Sequence, residues 1–152
     1  MRAASSIRIS MALASLALLA LATTACGSGI SLDEPIEGPS WRLVQLGEQP
    51  VPLGADPRGD AQVRFDGAGR VSGSGGCNRM SGTYQRSGAN LRVDQLAATK
   101  MACAETERSS NESGFFIALQ TTASYRMQAP GRLMLLDAAG RTLATLEAGA
   151  PR

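Results

Sequence analysis

From Val63 to Glu147 the chain runs largely in short stretches that alternate apolar with polar residues and close in glycine-bearing turns. A period of two places alternate side chains on opposite faces, so these stretches read as β-strands with one buried and one wet face. Val63 and Phe65 oppose Arg64 and Asp66, Leu91 and Val93 oppose Arg92 and Asp94, and Arg132 to Asp137 and Arg141 to Glu147 form two further runs. The turn Asp66-Gly67-Ala68-Gly69-Arg70 recurs as Asp137-Ala138-Ala139-Gly140-Arg141, and in each the last glycine can take the positive φ that closes a hairpin. One segment breaks the pattern. Glu105 to Thr122 carries Phe115 and Leu119 four residues apart behind the polar Ser109, Ser110 and Asn111, which predicts one helix laid on the sheet. Gly114 costs that helix about 1 kcal/mol, so its start is expected late, near Asn111.

The N-terminus has a separate logic. Arg2 and Arg8 precede an apolar run, Met11 to Ala22, that is too short to span a bilayer, and Thr23-Thr24-Ala25-Cys26-Gly27 follows. This is the layout of a bacterial lipoprotein signal peptide, with residues 1–25 removed and Cys26 acylated. Residues 26–39 are then expected to form the acylated cysteine and a flexible tether, since Gly27 to Pro39 is rich in Gly, Ser, Pro and acid. Such a coil holds a body on the order of 20 Å from the lipid. Residues 40–152 suffice for one domain. Gly27 lacks the acid that retains lipoproteins in an inner membrane. The expected address is therefore the outer membrane facing the periplasm, or the outer face of the cytoplasmic membrane in a cell with only one.

Loss of Arg2 and Arg8 leaves 13 of the 15 basic side chains against 13 acidic ones. With neither net charge nor a local Lys/Arg cluster, nucleic acid is not an expected partner, and membrane attachment falls to the acyl chains. The chain has no histidine, which removes Ser-His-Asp and Cys-His catalysis and the usual zinc sites. A Ser/Lys scheme would need Lys100, the one lysine, and no Ser-x-x-Lys surrounds it. No catalytic residue, metal or cofactor is therefore expected. Cys77 and Cys103 remain as an even pair in an oxidising compartment, for which a disulfide is the obvious use, with two buried thiols or a redox pair as alternatives.

Gly73-Ser74-Gly75-Gly76-Cys77-Asn78 is the densest glycine stretch. Such loops can cradle an anion on backbone N–H groups, but no phosphate-loop motif is present, and a bent strand bringing Cys77 to its partner is the simpler reading. Asn78 is then expected to bond local backbone. Together with Trp41, Ser81-Gly82-Thr83-Tyr84, Thr99-Lys100-Met101-Ala102-Cys103 and Glu112 to Leu119, this stretch resembles the META/HslJ domain family in order and spacing. The motif residues are Gly76, Cys77, Asn78, Thr99, Met101 and Cys103, and the two cysteines map onto the family's cysteine pair.

The resemblance implies a mainly β (α+β) domain: a curved antiparallel sheet forming a partial barrel, with one packed helix. It brings no catalytic residues, and it associates such domains with envelope stress resistance, secretion or motility. The expected function is a non-enzymatic envelope lipoprotein that binds an envelope or secretion protein segment. The alternative is a carrier that holds a lipid or small apolar ligand in the half-barrel interior; Trp41 and Tyr84 could help such a sheet accept an apolar peptide or acyl chain, but plain core packing is the simpler reading of both.

Overall fold

The computed structural model describes residues 35–103 and 106–149. Its strands are β1 (Ser40–Leu46), β2 (Gln49–Pro50), β3 (Gln62–Phe65), β4 (Arg70–Ser74), β5 (Arg79–Ser87), β6 (Asn90–Ala98), β7 (Ser124–Gln128), β8 (Arg132–Leu136) and β9 (Thr142–Ala148), with α1 (Thr106–Thr121) between β6 and β7. All strands join one sheet in the order β2-β1-β3-β4-β5-β6-β7-β8-β9, and β1 also pairs with β9. Every pairing between these named strands is antiparallel. The sheet therefore curls into a ring. It is not a regular barrel, because β6 and β7 meet only at their ends, through the pair Asn90–Ser124 and the flanking bonds Leu91 N to Ala123 O (3.2 Å) and Tyr125 N to Ala89 O (2.9 Å). Helix α1 packs against β6, β1 and β9.

Local chemistry builds the two expected hairpins. In the β3–β4 turn Asp66 Oδ1 accepts from Ala68 N and Arg70 N, both at 2.9 Å, and Gly69 has φ 78°. The β8–β9 turn repeats this with Asp137 accepting from Ala139 N and Arg141 N at 2.9 Å and Gly140 at φ 78°. Each turn also carries an Arg–Asp ion pair, whose solvent exposure makes it a small term. A bulge bends β5 against β6: Ser81 faces Ala97 and Thr83 faces Asp94, so Gln95 and Leu96 share the position opposite Gly82, with Gln95 at φ 52°.

The expected alternation fills the ring. Val63, Phe65, Leu91, Val93, Leu133, Leu135 and Leu146 point inward, joined by Trp41, Leu43 and, from α1, Phe115, Ala118 and Leu119. Trp41 and Tyr84 pack into the core, as the simpler reading expects, and leave no apolar surface for a ligand. Trp41 is 1% exposed with its indole N–H on Ile36 O at 2.8 Å, and Tyr84 packs edge-on to Phe65 at a 5.0 Å centroid separation. Side chains thus occupy the volume in which a carried ligand was expected to sit.

Three expectations are corrected. The domain does not begin at Ser40: Ile36 is fully buried, Glu37 bridges in parallel to Phe65, and Gly38 N donates to Phe65 O at 3.3 Å. One buried isoleucine stabilises by about 1.5–3 kcal/mol, which ties this stretch down despite its polar composition. Helix α1 begins at Thr106 and not near Asn111. Gly114 is spent on packing, since a methyl group there would sit 2.4 Å from Leu46 Cδ2, and the glycine lets helix and strand close up. The third concerns Asn78 and is described below. The signal peptide, Cys26 and Glu105 lie outside the described residues.

Candidate binding site beside the disulfide loop

The motif residues meet at one end of the ring, where β4 runs into β5. Cys77 and Cys103 form a disulfide with Cα atoms 5.9 Å apart, which fastens the Thr99–Cys103 strap to the Gly75–Asn78 loop. Beneath it lies a buried polar knot. Asn78 Oδ1 accepts from Met101 N (2.7 Å) and Thr99 Oγ1 (2.8 Å), and Asn78 Nδ2 donates to Met101 O (3.3 Å) and Glu112 Oε1 (2.6 Å). Asn78 therefore bonds residues 23 and 34 positions away, where local backbone was expected. The strand ends are held alongside it, with Thr99 N on Arg79 O at 3.0 Å and Arg79 N on Thr99 Oγ1 at 3.1 Å.

Glu112 is the member that sequence reasoning missed. Its Oε2 accepts from Cys77 N (3.1 Å) and Asn78 N (2.5 Å), and its side chain is buried. The glycine loop does present N–H groups to an anion, and that anion is the protein's own carboxylate. Gly75 is what admits it, since a Cβ there would lie 2.3 Å from Glu112 Cγ. A signal was present. Glu112, Phe115 and Leu119 stand at i, i+3 and i+7, so the acid shares the helix face that enters the core. The two cysteine sulfurs and a Glu112 oxygen lie within 4.8 Å of one another, but sulfurs bonded to each other are not thiolate ligands.

On the outside of the sheet, next to this knot, runs an open groove of about 1020 Å³. Register defines its floor: Arg64 faces Ser72, Ser72 faces Ser81 and Ser81 faces Ala97, while in the next row Gln62 faces Ser74 and Ser74 faces Arg79. Small side chains thus pave the centre. Arg58, Arg64 and Arg79 stand around it, and Cys77, Thr99 and Met101 form the rim on the disulfide side. Met101 is 59% exposed. Among the described residues, no acidic side chain lines the groove.

A second polar cluster secures the N-terminal stretch. Glu37 Oε1 accepts from Arg86 Nε (3.1 Å) and lies 2.9 Å from the Tyr84 hydroxyl, which also reaches Asp66 O at 2.6 Å. Arg86 Nη1 donates to the Tyr125 hydroxyl at 3.0 Å. Partial burial pushes the Glu37 carboxyl up. The hydrogen bonds from its own backbone, Tyr84 and Arg86, with the Arg86 charge, outweigh that and hold it below the usual carboxyl value. Burial, then the hydrogen bond and charge of Glu37, push the Tyr84 phenol up to about 12.

The META domain family model matches residues 34–150. Among solved structures, a protein determined by NMR is similar at a TM-score of 0.59 and 26% identity, over 74% of this chain and 91% of its own. An NMR structure of a protein from Burkholderia xenovorans matches at a TM-score of 0.60 and 24% identity, over 76% of this chain and 85% of its own. A crystal structure of a DUF4847 family protein from Bacteroides vulgatus matches at 0.50 and 16%, over 77% and 96%. The last two likenesses speak to the fold alone. No curated protein matches the sequence at a significant level.

Proposed function

Since the chain belongs to the META domain family, we propose that it is a non-enzymatic envelope lipoprotein, anchored through Cys26, that docks a protein segment in the outer groove in the service of envelope stress resistance or secretion. The observation that carries this reading is the groove itself: an open channel with a floor of Ser72, Ser81 and Ala97, bounded on one side by a rim that the disulfide and the Asn78–Glu112 knot hold rigid. A rim fixed in advance lowers the ordering cost of binding. Small floor residues let a partner backbone approach the sheet, and serine hydroxyls and Gln62 supply hydrogen-bond partners along its length. The non-catalytic part of the proposal is supported by the absence of histidine and by a buried carboxylate whose two oxygens are already occupied by backbone and asparagine donors. The lipid anchor is supported by the arginines and apolar run that precede Cys26.

The test is photo-crosslinking in living cells, using the full chain with a benzophenone amino acid at Ser72 on the groove floor or at Ala139 in the far β8–β9 turn. The expected result is a discrete adduct to an identified envelope protein from position 72, absent from position 139 and lost when Ser81→Trp fills the floor. Equal labelling from both positions, or none from position 72, overturns the reading. Palmitate labelling that disappears in Cys26→Ser checks the anchor separately.

A further inference from the structure

Resting on the reading that the outer groove docks a protein segment, we infer that the segment is extended and acidic, with carboxylates about four residues apart on one face. Arg58, Arg64 and Arg79 are exposed, and among the described residues none of the three makes an ion pair. Five other arginines have counter-charges within the chain: Arg42 pairs with Asp60, Arg70 with Asp66, Arg86 with Glu37, Arg132 with Glu147 and Arg141 with Asp137, while Arg92 and Arg126, which make no ion pair among the described residues, do not line the groove. A concavity that gathers three such guanidinium groups and, among the described residues, no acid is complementary to a negative partner.

Geometry narrows the partner's form. Arg64 on β3 and Arg79 on β5 are separated by two strand spacings and one two-residue step, because Arg64 faces Ser72, Ser72 faces Ser81, and Arg79 lies two residues before Ser81. That places their Cα atoms roughly 12 Å apart. In an extended chain, residues i and i+4 lie on one face about 13 Å apart, which matches this span. Guanidinium groups bind carboxylates through paired donors, and the serine floor between the two arginines can bond a partner's intervening backbone. A flat anionic membrane is the poorer fit, because the arginines border a recess and, among the described residues, Met101 is the one large exposed apolar side chain on its rim.

The experiment is fluorescence polarisation with the full chain, disulfide intact. The probe is a labelled twelve-residue peptide of three Glu-Ser-Thr-Ser repeats, compared with its Gln-Ser-Thr-Ser counterpart. The glutamate peptide is expected to bind at least tenfold more tightly than the glutamine peptide, and binding is expected to weaken as salt rises. Arg64→Gln and Arg79→Gln should each weaken it several-fold and together at least tenfold, whereas Arg141→Gln, in the far turn, should leave it unchanged. Equal binding of the two peptides, blocked by Ser81→Trp, overturns the acidic preference and leaves the docking reading standing. No binding of either peptide also overturns the inference, and the docking reading then falls with it only if position 72 yields no crosslink. Vesicles of phosphatidylglycerol captured in an Arg64- and Arg79-dependent way, without peptide binding, overturn it in favour of a lipid surface.

Discussion

Replacing Glu112 by glutamine exchanges one oxygen for an NH2 group and removes one charge, yet it is expected to destabilise the domain by about 2–4 kcal/mol. The carboxylate accepts three hydrogen bonds, from Cys77 N, Asn78 N and Asn78 Nδ2. A glutamine has one acceptor oxygen, so its amide nitrogen must face either the two backbone donors or the Asn78 amide. Asn78 cannot turn over to help, because its Oδ1 is committed to the backbone N–H of Met101 and the hydroxyl of Thr99. At least one buried donor is left facing another donor, at about 1–3 kcal/mol, and the remaining bonds lose the charge assistance that roughly doubles their strength. Urea unfolding followed by tryptophan fluorescence reads this directly, since Trp41 is the single tryptophan and is buried. With a urea slope of about 1–3 kcal/mol per molar, the midpoint should fall by roughly 1–3 M. A double-mutant cycle of Asn78→Ala and Glu112→Ala should return a coupling of at least about 1 kcal/mol. A midpoint shift below roughly 0.3 M for Glu112→Gln, or additive single variants in the cycle, would refute the claim that this carboxylate holds the loop in place.

Three further outcomes are expected. Removing the disulfide by Cys77→Ala with Cys103→Ala opens a loop of 26 residues and should cost about 3.5 kcal/mol in the loop-entropy model, again read from urea midpoints; an unchanged midpoint contradicts it. The Glu37 carboxyl is held below its usual value, so the stability it contributes is present above the ordinary carboxyl range and is lost as pH falls through its folded-state value; Tyr84, pushed up to about 12, contributes stability that is full below pH 10 and lost between about 10 and 12. Midpoints measured against pH should therefore show an acid limb that flattens in Glu37→Gln and an alkaline limb that flattens in Tyr84→Phe, and limbs untouched by these changes would argue against both assignments. Gly114→Ala should destabilise by about 1–3 kcal/mol despite alanine's better helix propensity, because its methyl group meets Leu46, and Leu46→Ala in the same chain should recover part of the loss by thermal unfolding; a stabilised Gly114→Ala protein contradicts the packing argument.

How far the fold could be read in advance depended on the range of the interactions involved. The two Asp-to-Arg turns were legible because all their chemistry lies within five residues: an aspartate accepts from N–H groups two and four positions on, and one glycine turns the chain. Strand faces were legible from alternation, and Phe115 and Leu119 marked the buried side of α1. The pairing of Cys77 with Cys103 followed from counting and from the family resemblance. Features set by distant partners were not legible. Ile36 looks like part of a polar tether until Trp41 and Phe65 are placed around it. The start of α1 was misjudged because the propensity cost of Gly114 is visible in the chain while Leu46, which explains the glycine, is 68 residues upstream in sequence. Asn78 and Glu112 are separated by 34 residues and become a pair only when the helix lands on the glycine loop. The groove is the least legible of all, since Arg58, Arg64 and Arg79 look like ordinary solvated cations until the sheet register ranges them around one floor.

The pairing of β1 with β9 also sets an order of events for the nascent chain. Trp41 faces Ala148 and Leu43 faces Leu146, so the first long strand finds its second neighbour only after more than a hundred further residues have left the ribosome. Until then the edges of β1 and β8 stand open, with bare N–H and C=O groups able to recruit another strand. Contacts spanning more than a hundred residues are slow to form, and the local hairpins at Asp66 and Asp137 have time to assemble first. A chain that loses Thr142 to Ala148 therefore loses more than one strand: it becomes an unsealed sheet with two sticky margins.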